Sequence, residues 1–382
     1  MKTVLSQSEL QSLFQTVFAP GPEDRVVTFL VDVPSVIEED SEDWKERRRM
    51  AMEWWADVLE FLPGMGMEKA QIMYYANVGK NNADLPETVY EWKGDATALY
   101  ANTLPSAGRP RRLVEVLDES DIVLAPTEYS ATAPLKMLAK KHRFRGATMP
   151  GFLRSMVPAL GIDYQRVHER IMSFKQRLDE AESIDIVFDA RGKESVFHGD
   201  LRFRAATPSS GMFHRPGIVG NLPSGETYIV PYEGEKEDVP SESRGEIPVQ
   251  FGDEIVVYRV ENNVAVEVLT DGVKSAEERA MLEKEPAYGN IAEIGFGVLG
   301  DFGMNAVGSL LMDEKLGLHI AFGRSEHFGG IVSPGSFRDP NNVVHIDRVY
   351  VPSLQPEVTV ASAVLNLPGK SEVIMTDGKW VI

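Results

Sequence analysis

Strand-like apolar runs alternate with amphipathic helical segments through the first half of this chain, and this alternation restricts the possible folds more than any other feature. VVTFLVDV (residues 26–33) and AQIMYYANV (70–78) have the composition of buried strands. Residues 44–62 and 163–182 instead place apolar side chains on one face at helical spacing. Strands that alternate with helices form a mostly parallel sheet covered by helices, so the sequence predicts an α/β domain.

The second half has a different pattern. From about Ser183 onward, strand-like runs such as IDIVFDA (184–190) and EIVVYRVENNVAVEVL (254–269) follow one another, separated by Gly, Pro and Asn. One charged helix is predicted there, over residues 275–285. We therefore predict two domains, an α/β domain over residues 1–185 and a β-rich α+β domain over residues 186–382.

The charge balance and the lack of cysteine argue against several function classes. The 382 residues include 58 acidic and 39 basic side chains, which gives a net charge of −19. Such a chain lacks the basic surface that binds nucleic acid or anionic membranes, so neither partner is expected. Without cysteine there is no disulfide and no thiolate ligand, so any metal must be held by His, Asp, Glu or Tyr. No GxGxxG or GxxxxGKS/T loop precedes a predicted helix, so no nucleotide site is predicted.

The hydropathy of the chain bears on its location. The first residues, MKTVLSQSELQSLF, lack the apolar core of a signal peptide. No apolar run approaches the roughly 20 residues that span a bilayer. The expected location is the cytoplasm.

Histidines in the second half have the spacing of metal ligands. His345 and Asp347 stand two residues apart in the strand-like run VVHIDRVYV, so their side chains point to the same face. His319 lies in a separate strand-like run, LHIAFG. Two imidazoles and one carboxylate suit an open site for a divalent metal. The alternative is that each is an ordinary core or surface residue.

Two glutamates extend this set. Glu226 lies in GNLPSGETYIVP and Glu293 in GNIAEIGFG, both between small and apolar residues. A carboxylate in such surroundings is unfavourable unless it is paired or bound to a cation, although either could instead face solvent at a strand end. Three carboxylates and two imidazoles suit a two-metal hydrolytic site. The predicted ligands are Glu226, Glu293, His319, His345 and Asp347.

Residues 217–350 resemble the aminopeptidase T family of metallo-aminopeptidases. Four stretches carry the resemblance, in this order: GNLPSGETYIVP, NIAEIGFG, DEKLGLHIAFG and VVHID. Position by position, the five predicted ligands match the metal ligands of that family. The resemblance implies an α/β domain followed by a domain with two divalent ions, and a homodimer. Zinc or cobalt is typical of the family, and manganese suits the same ligands.

One stretch departs from the family pattern. The peptidases have an active-site tyrosine shortly after the first histidine, whereas this chain reads GRSEHFGG. Arg324, Glu326 and His327 of that stretch are therefore the candidates for orienting the substrate or transferring a proton. A Gly-flanked loop beside a site is a common place for such residues.

A second resemblance is to the 2,5-dihydroxypyridine dioxygenases, which share the closing His-x-Asp and use one non-haem iron(II). The resemblance implies a histidine where this chain has Glu293. His319, His345 and Asp347 would still supply a two-His-one-carboxylate set.

Three functions follow from these resemblances. The first is a metal-dependent hydrolase that removes N-terminal residues from small peptides or cleaves a related amide. The alternatives are an iron(II) ring-cleaving dioxygenase acting on a hydroxylated aromatic small molecule, and a catalytically inactive metal-binding homologue.

Overall fold

The computed structural model describes residues 4–382 of the chain. They divide into two compact units. One unit runs as far as His168 and takes in Gly211–Ser224, and the other comprises Glu169–Ser210 and Gly225–Ile382. Segment 211–224 thus returns to the first unit, which no pattern in the sequence predicts. The division at residue 185 stays a prediction about the domains.

The predicted helices over residues 44–62, 163–182 and 275–285 agree closely with α2 (Glu42–Phe61), α7 (Tyr164–Glu180) and α8 (Val273–Lys284), whereas α1 (Gln7–Phe18) was not predicted. Helix α2 begins where the Ser41 side chain accepts a hydrogen bond from the backbone N–H of Trp44, which satisfies an otherwise unpaired donor of the first turn. None of the helices within residues 4–382 combines the length and the apolar character needed to cross a membrane. The α-helices are α1 Gln7–Phe18, α2 Glu42–Phe61, α3 Leu104–Ala107, α4 Leu113–Asp118, α5 Thr132–His142, α6 Val157–Leu160, α7 Tyr164–Glu180, α8 Val273–Lys284 and α9 Leu310–Asp313.

The strands form three sheets. The bounds are β1 Val26–Val33, β2 Lys69–Ala76, β3 Thr88–Glu91, β4 Arg109–Arg112, β5 Ile122–Ala125, β6 Arg145–Thr148, β7 Ser183–Ala190, β8 Lys193–Asp200, β9 Thr207–Ser209, β10 Val219–Asn221, β11 Glu226–Ile229, β12 Arg244–Phe251, β13 Glu254–Glu261, β14 Val264–Val268, β15 Ile291–Gly297, β16 Leu318–Gly323, β17 His345–Val349, β18 Val358–Leu367, β19 Lys370–Thr376 and β20 Lys379–Trp380.

The first unit contains a seven-stranded sheet in the order β10-β6-β5-β1-β2-β3-β4. Strands β10, β6, β5, β1 and β2 pair in parallel, and only the β3–β4 edge is antiparallel. The central strand β1 is buried along almost its whole length, which explains why VVTFLVDV is nearly all apolar. Leu30, Met73 and Val123 of three adjacent strands belong to one core cluster. The predicted α/β architecture is confirmed.

The second unit is built from two antiparallel sheets, as its many strand-like runs predict. The larger has eight strands in the order β14-β13-β12-β8-β7-β18-β19-β20. The smaller has five, in the order β17-β16-β15-β11-β9, and we term it the site sheet because it carries all five predicted ligands.

Candidate metal centre

The strand order of the site sheet brings together ligands that lie far apart in sequence. Glu226 begins β11, Glu293 lies in β15, His319 in β16, and His345 and Asp347 in β17. These four strands are consecutive neighbours in the sheet. The cross-strand register then places all five side chains on one face.

Small residues on the same face leave room for the cluster. Gly295 pairs with Tyr228 on one side and with His319 on the other, so the imidazole of His319 lies over a residue without a side chain. A methyl group on Gly295 would lie 1.9 Å from His319 Nε2. Ala321 stands between Glu293 and Asp347 in the register. The alternation in EIGFG and HIAFG thus reserves space for ligands on one face and packs apolar residues on the other.

Glu293 occupies the centre of the cluster and approaches both imidazoles. Its Oε1 lies 3.1 Å from His319 Nε2, and its Oε2 lies 3.4 Å from His345 Nε2. On the far side, Asp347 Oδ1 is 3.6 Å from His345 Nε2. Ligand atoms of Glu293, His345 and Asp347 all lie within 4.8 Å of one another and could hold one ion.

A second possible ligand group shares Glu293 and adds Glu226 and His319. Glu226 Oε2 lies 3.8 Å from His319 Nε2. This oxygen is buried and has no hydrogen-bond partner within residues 4–382. A buried carboxylate oxygen without a partner is energetically unfavourable, and a bound cation would supply the missing interaction.

Both imidazoles are oriented in the way that metal-binding histidines are. His345 Nδ1 donates to the backbone carbonyl of Arg324 at 2.8 Å, and His319 Nδ1 lies 3.4 Å from that of Gly317. A proton held on Nδ1 leaves Nε2 as the ligand atom, and in both residues Nε2 faces the carboxylates. The donor set, its orientation and the unpaired oxygen of Glu226 all fit divalent metal.

The electrostatics of the cluster come from opposite charges in a buried space. Burial alone would raise the pKa values of Glu293 and Asp347, but the neighbouring imidazoles hold both below their usual range. Burial alone would lower the pKa of His345, whereas Asp347 and Glu293 raise it well above its usual value. Without metal, the imidazolium groups neutralise the carboxylates.

Metal binding should therefore displace protons. Burial alone would lower the pKa of His319, but the hydrogen bond to Glu293 and nearby carboxylates raise it from 6.5 to about 9. The stability from this charge pair is complete below pH 6.5 and is lost as the pH rises through about 9. An ion needs an unprotonated Nε2, so we expect loading at pH 7 to release protons and metal affinity to increase towards pH 9. Calorimetry in buffers of different ionisation enthalpy measures this release, and binding without proton release would contradict it.

Two charged residues that the sequence did not single out complete the cluster. Lys315 Nζ donates to Glu226 Oε1 at 2.7 Å and also contacts the carboxylate of Glu314. Burial alone would lower the pKa of Lys315, but Glu226 and Glu314 raise it, so the lysine stays charged. Burial raises the pKa of Glu314 to about 8. In the sequence, these residues belong to the run DEK (313–315) shortly before the strand of His319. Three charged residues in a row normally indicate an exposed segment, so the sequence does not predict that Lys315 is buried.

The three predicted catalytic residues lie in the loop after β16. Arg324 and Glu326 form an ion pair with each other, with Arg324 Nε 2.7 Å from Glu326 Oε2. The ring of His327 stands 5.2 Å from that of His345, between centroids. Burial first, and then the charges of His345 and Arg324, lower the pKa of His327 to about 4, so its imidazole is neutral at pH 7. The structure thus brings His327 beside the cluster, whereas Arg324 and Glu326 neutralise each other.

The loop that carries His327 is held by Glu233, whose side chain is buried and for which the sequence predicted no role. Its Oε1 accepts hydrogen bonds from Ser325 Oγ at 2.6 Å and from Asn290 Nδ2 at 2.7 Å. Its Oε2 accepts from the backbone N–H of Ile331 at 2.5 Å. One carboxylate therefore fixes both ends of the loop.

Aromatic side chains form a wall beside the ligands. The ring of Phe328 lies 5.1 Å from that of His345 and 4.7 Å from that of Tyr228, between centroids. Phe328 and His345 are only partly buried, whereas Glu293 and His319 are buried. The cluster is therefore accessible at the side where His345, His327 and Phe328 meet.

Comparisons with known proteins show which solved structures share the fold of this chain. No family model and no curated protein matches the sequence. Among solved structures, 2,5-dihydroxypyridine dioxygenase from Pseudomonas putida is similar with a TM-score of 0.61 and 15% identity, over 99% of this chain and 98% of that one. AmpT (aminopeptidase T) from Thermus thermophilus is similar with a TM-score of 0.52 and 13% identity, over 98% of both chains. At these identities the likeness establishes a common fold, and both neighbours are enzymes.

Proposed function

We propose that this chain is a metal-dependent hydrolase that uses two divalent ions to release N-terminal residues from small peptides or to cleave a related amide. The position of Glu293 carries the proposal, because each of its oxygens approaches a different imidazole. Two ligand groups that share one carboxylate suit a pair of divalent ions.

Five side chains would hold these ions. Glu226 and His319 would serve one position, His345 and Asp347 the other, and Glu293 both. Divalent ions in such a site activate a water molecule at neutral pH and polarise the carbonyl that it attacks.

The surrounding residues would orient the substrate. The neutral imidazole of His327, with 34% of its side chain exposed, can donate or accept a hydrogen bond at the open side of the cluster. The partly exposed Phe328, whose ring packs against the buried Tyr228, offers an apolar surface for a substrate side chain. Arg324 acts differently, since its guanidinium is paired and its backbone carbonyl fixes the tautomer of His345. We therefore propose a preference for an apolar or aromatic residue next to the scissile bond.

A second candidate function is the iron(II) dioxygenase. Asp347 Oδ1 lies 4.0 Å from His319 Nε2 and 3.6 Å from His345 Nε2, a set of two histidines and one carboxylate. Glu293 favours the hydrolase, because a single iron held by these three residues leaves its buried carboxylate without a role.

Metal analysis separates the candidates. The protein is purified without oxygen or chelator, and its metals are counted by elemental analysis. About two zinc, cobalt or manganese ions per chain, with hydrolysis of aminoacyl amides bearing apolar side chains, would support the proposal. One iron per chain with oxygen uptake on hydroxylated aromatic rings would favour the dioxygenase, and metal without turnover a non-catalytic homologue.

No metal after reconstitution would contradict the whole site. We also propose a homodimer, on the family resemblance, and a cytoplasmic location. Sedimentation measures the oligomeric state.

A further inference from the structure

Lys315 places a permanent positive charge inside the candidate metal centre. Its side chain is 1% exposed, and its ammonium group contacts Glu226 and Glu314. Lysine is rarely buried this deeply without a specific partner. Unlike the imidazoles, an ammonium group cannot become a neutral metal ligand at neutral pH while the Glu226 carboxylate holds its proton.

The backbone around Gly297 explains how the lysine reaches this place. Gly297 stands opposite Glu226 in the register and its N–H donates to the carbonyl of Gly317 at 2.9 Å. A methyl group on Gly297 would lie 2.3 Å from the carbonyl carbon of Lys315. The missing side chain therefore lets the segment before β16 pack against β15, beside Glu226.

The lysine makes the two oxygens of Glu226 different. Oε1 accepts from Lys315 at 2.7 Å, while Oε2 has no hydrogen-bond partner within the described residues and faces His319 at 3.8 Å. An ion beside Glu226 would share the carboxylate with an ammonium group and be repelled by its charge. At the other position, the charge of Lys315 acts on Asp347 only over a longer distance. Among residues 4–382, no lysine or arginine forms an ion pair with Asp347 as Lys315 does with Glu226.

We propose that Lys315 makes the two ion positions unequal. The position formed by Glu293, His345 and Asp347 fills first. The position formed by Glu226, Glu293 and His319 fills second, at a higher concentration of free ion, with Glu226 binding through Oε2 alone. This inference rests on the proposed two-ion centre and adds the order in which it is loaded.

Titration of metal-free protein with Mn²⁺ tests the order. Free Mn²⁺ is followed by electron paramagnetic resonance, and bound metal by elemental analysis. We expect two steps, because a like charge lies beside only one of the two positions. Their affinities should differ by at least about tenfold, which corresponds to about 1.4 kcal/mol. Lys315→Met should strengthen the second step by at least tenfold and change the first step less, because the charge of Lys315 acts on Asp347 over a longer distance than on Glu226. Lys315→Arg keeps the charge and should keep two separate steps.

The sign of the change in affinity caused by Lys315→Met distinguishes the proposal from a merely structural role. If Lys315 only supported the fold, Lys315→Met would weaken both steps, and that result would overturn the proposal. Two steps of equal affinity in the unaltered protein would overturn it as well, while leaving the two-ion hydrolase intact. Binding of no ion at all would instead contradict the proposed function.

Folding of the variants is checked by thermal melting. Lys315→Met leaves Glu226 and Glu314 buried without their cation, so the double variant Glu314→Gln with Lys315→Met is prepared in parallel. It replaces both members of the Lys315–Glu314 contact by neutral side chains. The proposal predicts that this variant, too, binds the second ion more tightly. If neither variant folds, the titration of the unaltered protein decides.

Discussion

Replacement of Glu293 by glutamine is expected to remove metal from both positions and to abolish turnover. Each oxygen of Glu293 faces a different imidazole, whereas glutamine would turn an amide NH₂ towards one of them. At one position, an NH₂ group that donates hydrogen bonds and does not bind metal would replace a ligand oxygen. At the other, a neutral amide oxygen would replace a charged carboxylate oxygen. Loss of an outer partner alone weakens metal sites about 10–100-fold, so loss of the shared ligand should exceed about 100-fold. Elemental analysis after dialysis and the rate of amide hydrolysis measure the two effects.

Two further variants serve as controls for Glu293→Gln. Glu226→Gln alters only one of the two ligand groups, so one ion per chain should remain. Glu283→Gln changes an exposed glutamate of α8 and should leave metal content and activity unchanged. A Glu293→Gln protein that keeps two ions per chain would disprove the shared carboxylate.

Gly295→Ala is expected to disrupt the centre although it replaces none of the proposed ligands. The added methyl group would lie 1.9 Å from His319 Nε2, so the imidazole must rotate away from Glu293. The position that depends on His319 should then lose its ion. Overpacking of this kind also destabilises a fold by about 1–3 kcal/mol. Ions per chain and the melting temperature of the metal-free protein report these two consequences separately.

Gly335→Ala is the matched control for this variant. Gly335 is exposed, and a methyl group there would meet only Ser333 Oγ at 3.6 Å, an ordinary contact. Metal content should remain unchanged. If Gly295→Ala also kept both ions, His319 would not be a ligand over that glycine.

The sequence alone was sufficient to predict features that depend on the local pattern of apolar and polar residues. Alternation of strands and helices predicted the α/β half because burial of a parallel sheet on both faces demands long apolar runs such as β1. The pair His345 and Asp347 could be assigned to one face because side chains of a strand alternate with a period of two. The sequence also showed that GRSEHFGG differs from the family pattern, although it did not show which residues the side chains of this stretch contact.

The tertiary structure decided which local elements meet. No spacing reveals that β11, β15, β16 and β17 are neighbours, and only that order gives Glu293 its place between two imidazoles. Nor could the sequence predict that Lys315 turns inward to Glu226, that Glu233 fixes the loop of His327, or that segment 211–224 returns to the first unit. Sequence periodicity fixes the direction of a side chain relative to its own strand, whereas charge pairing and metal geometry depend on distances between strands that only the folded chain sets.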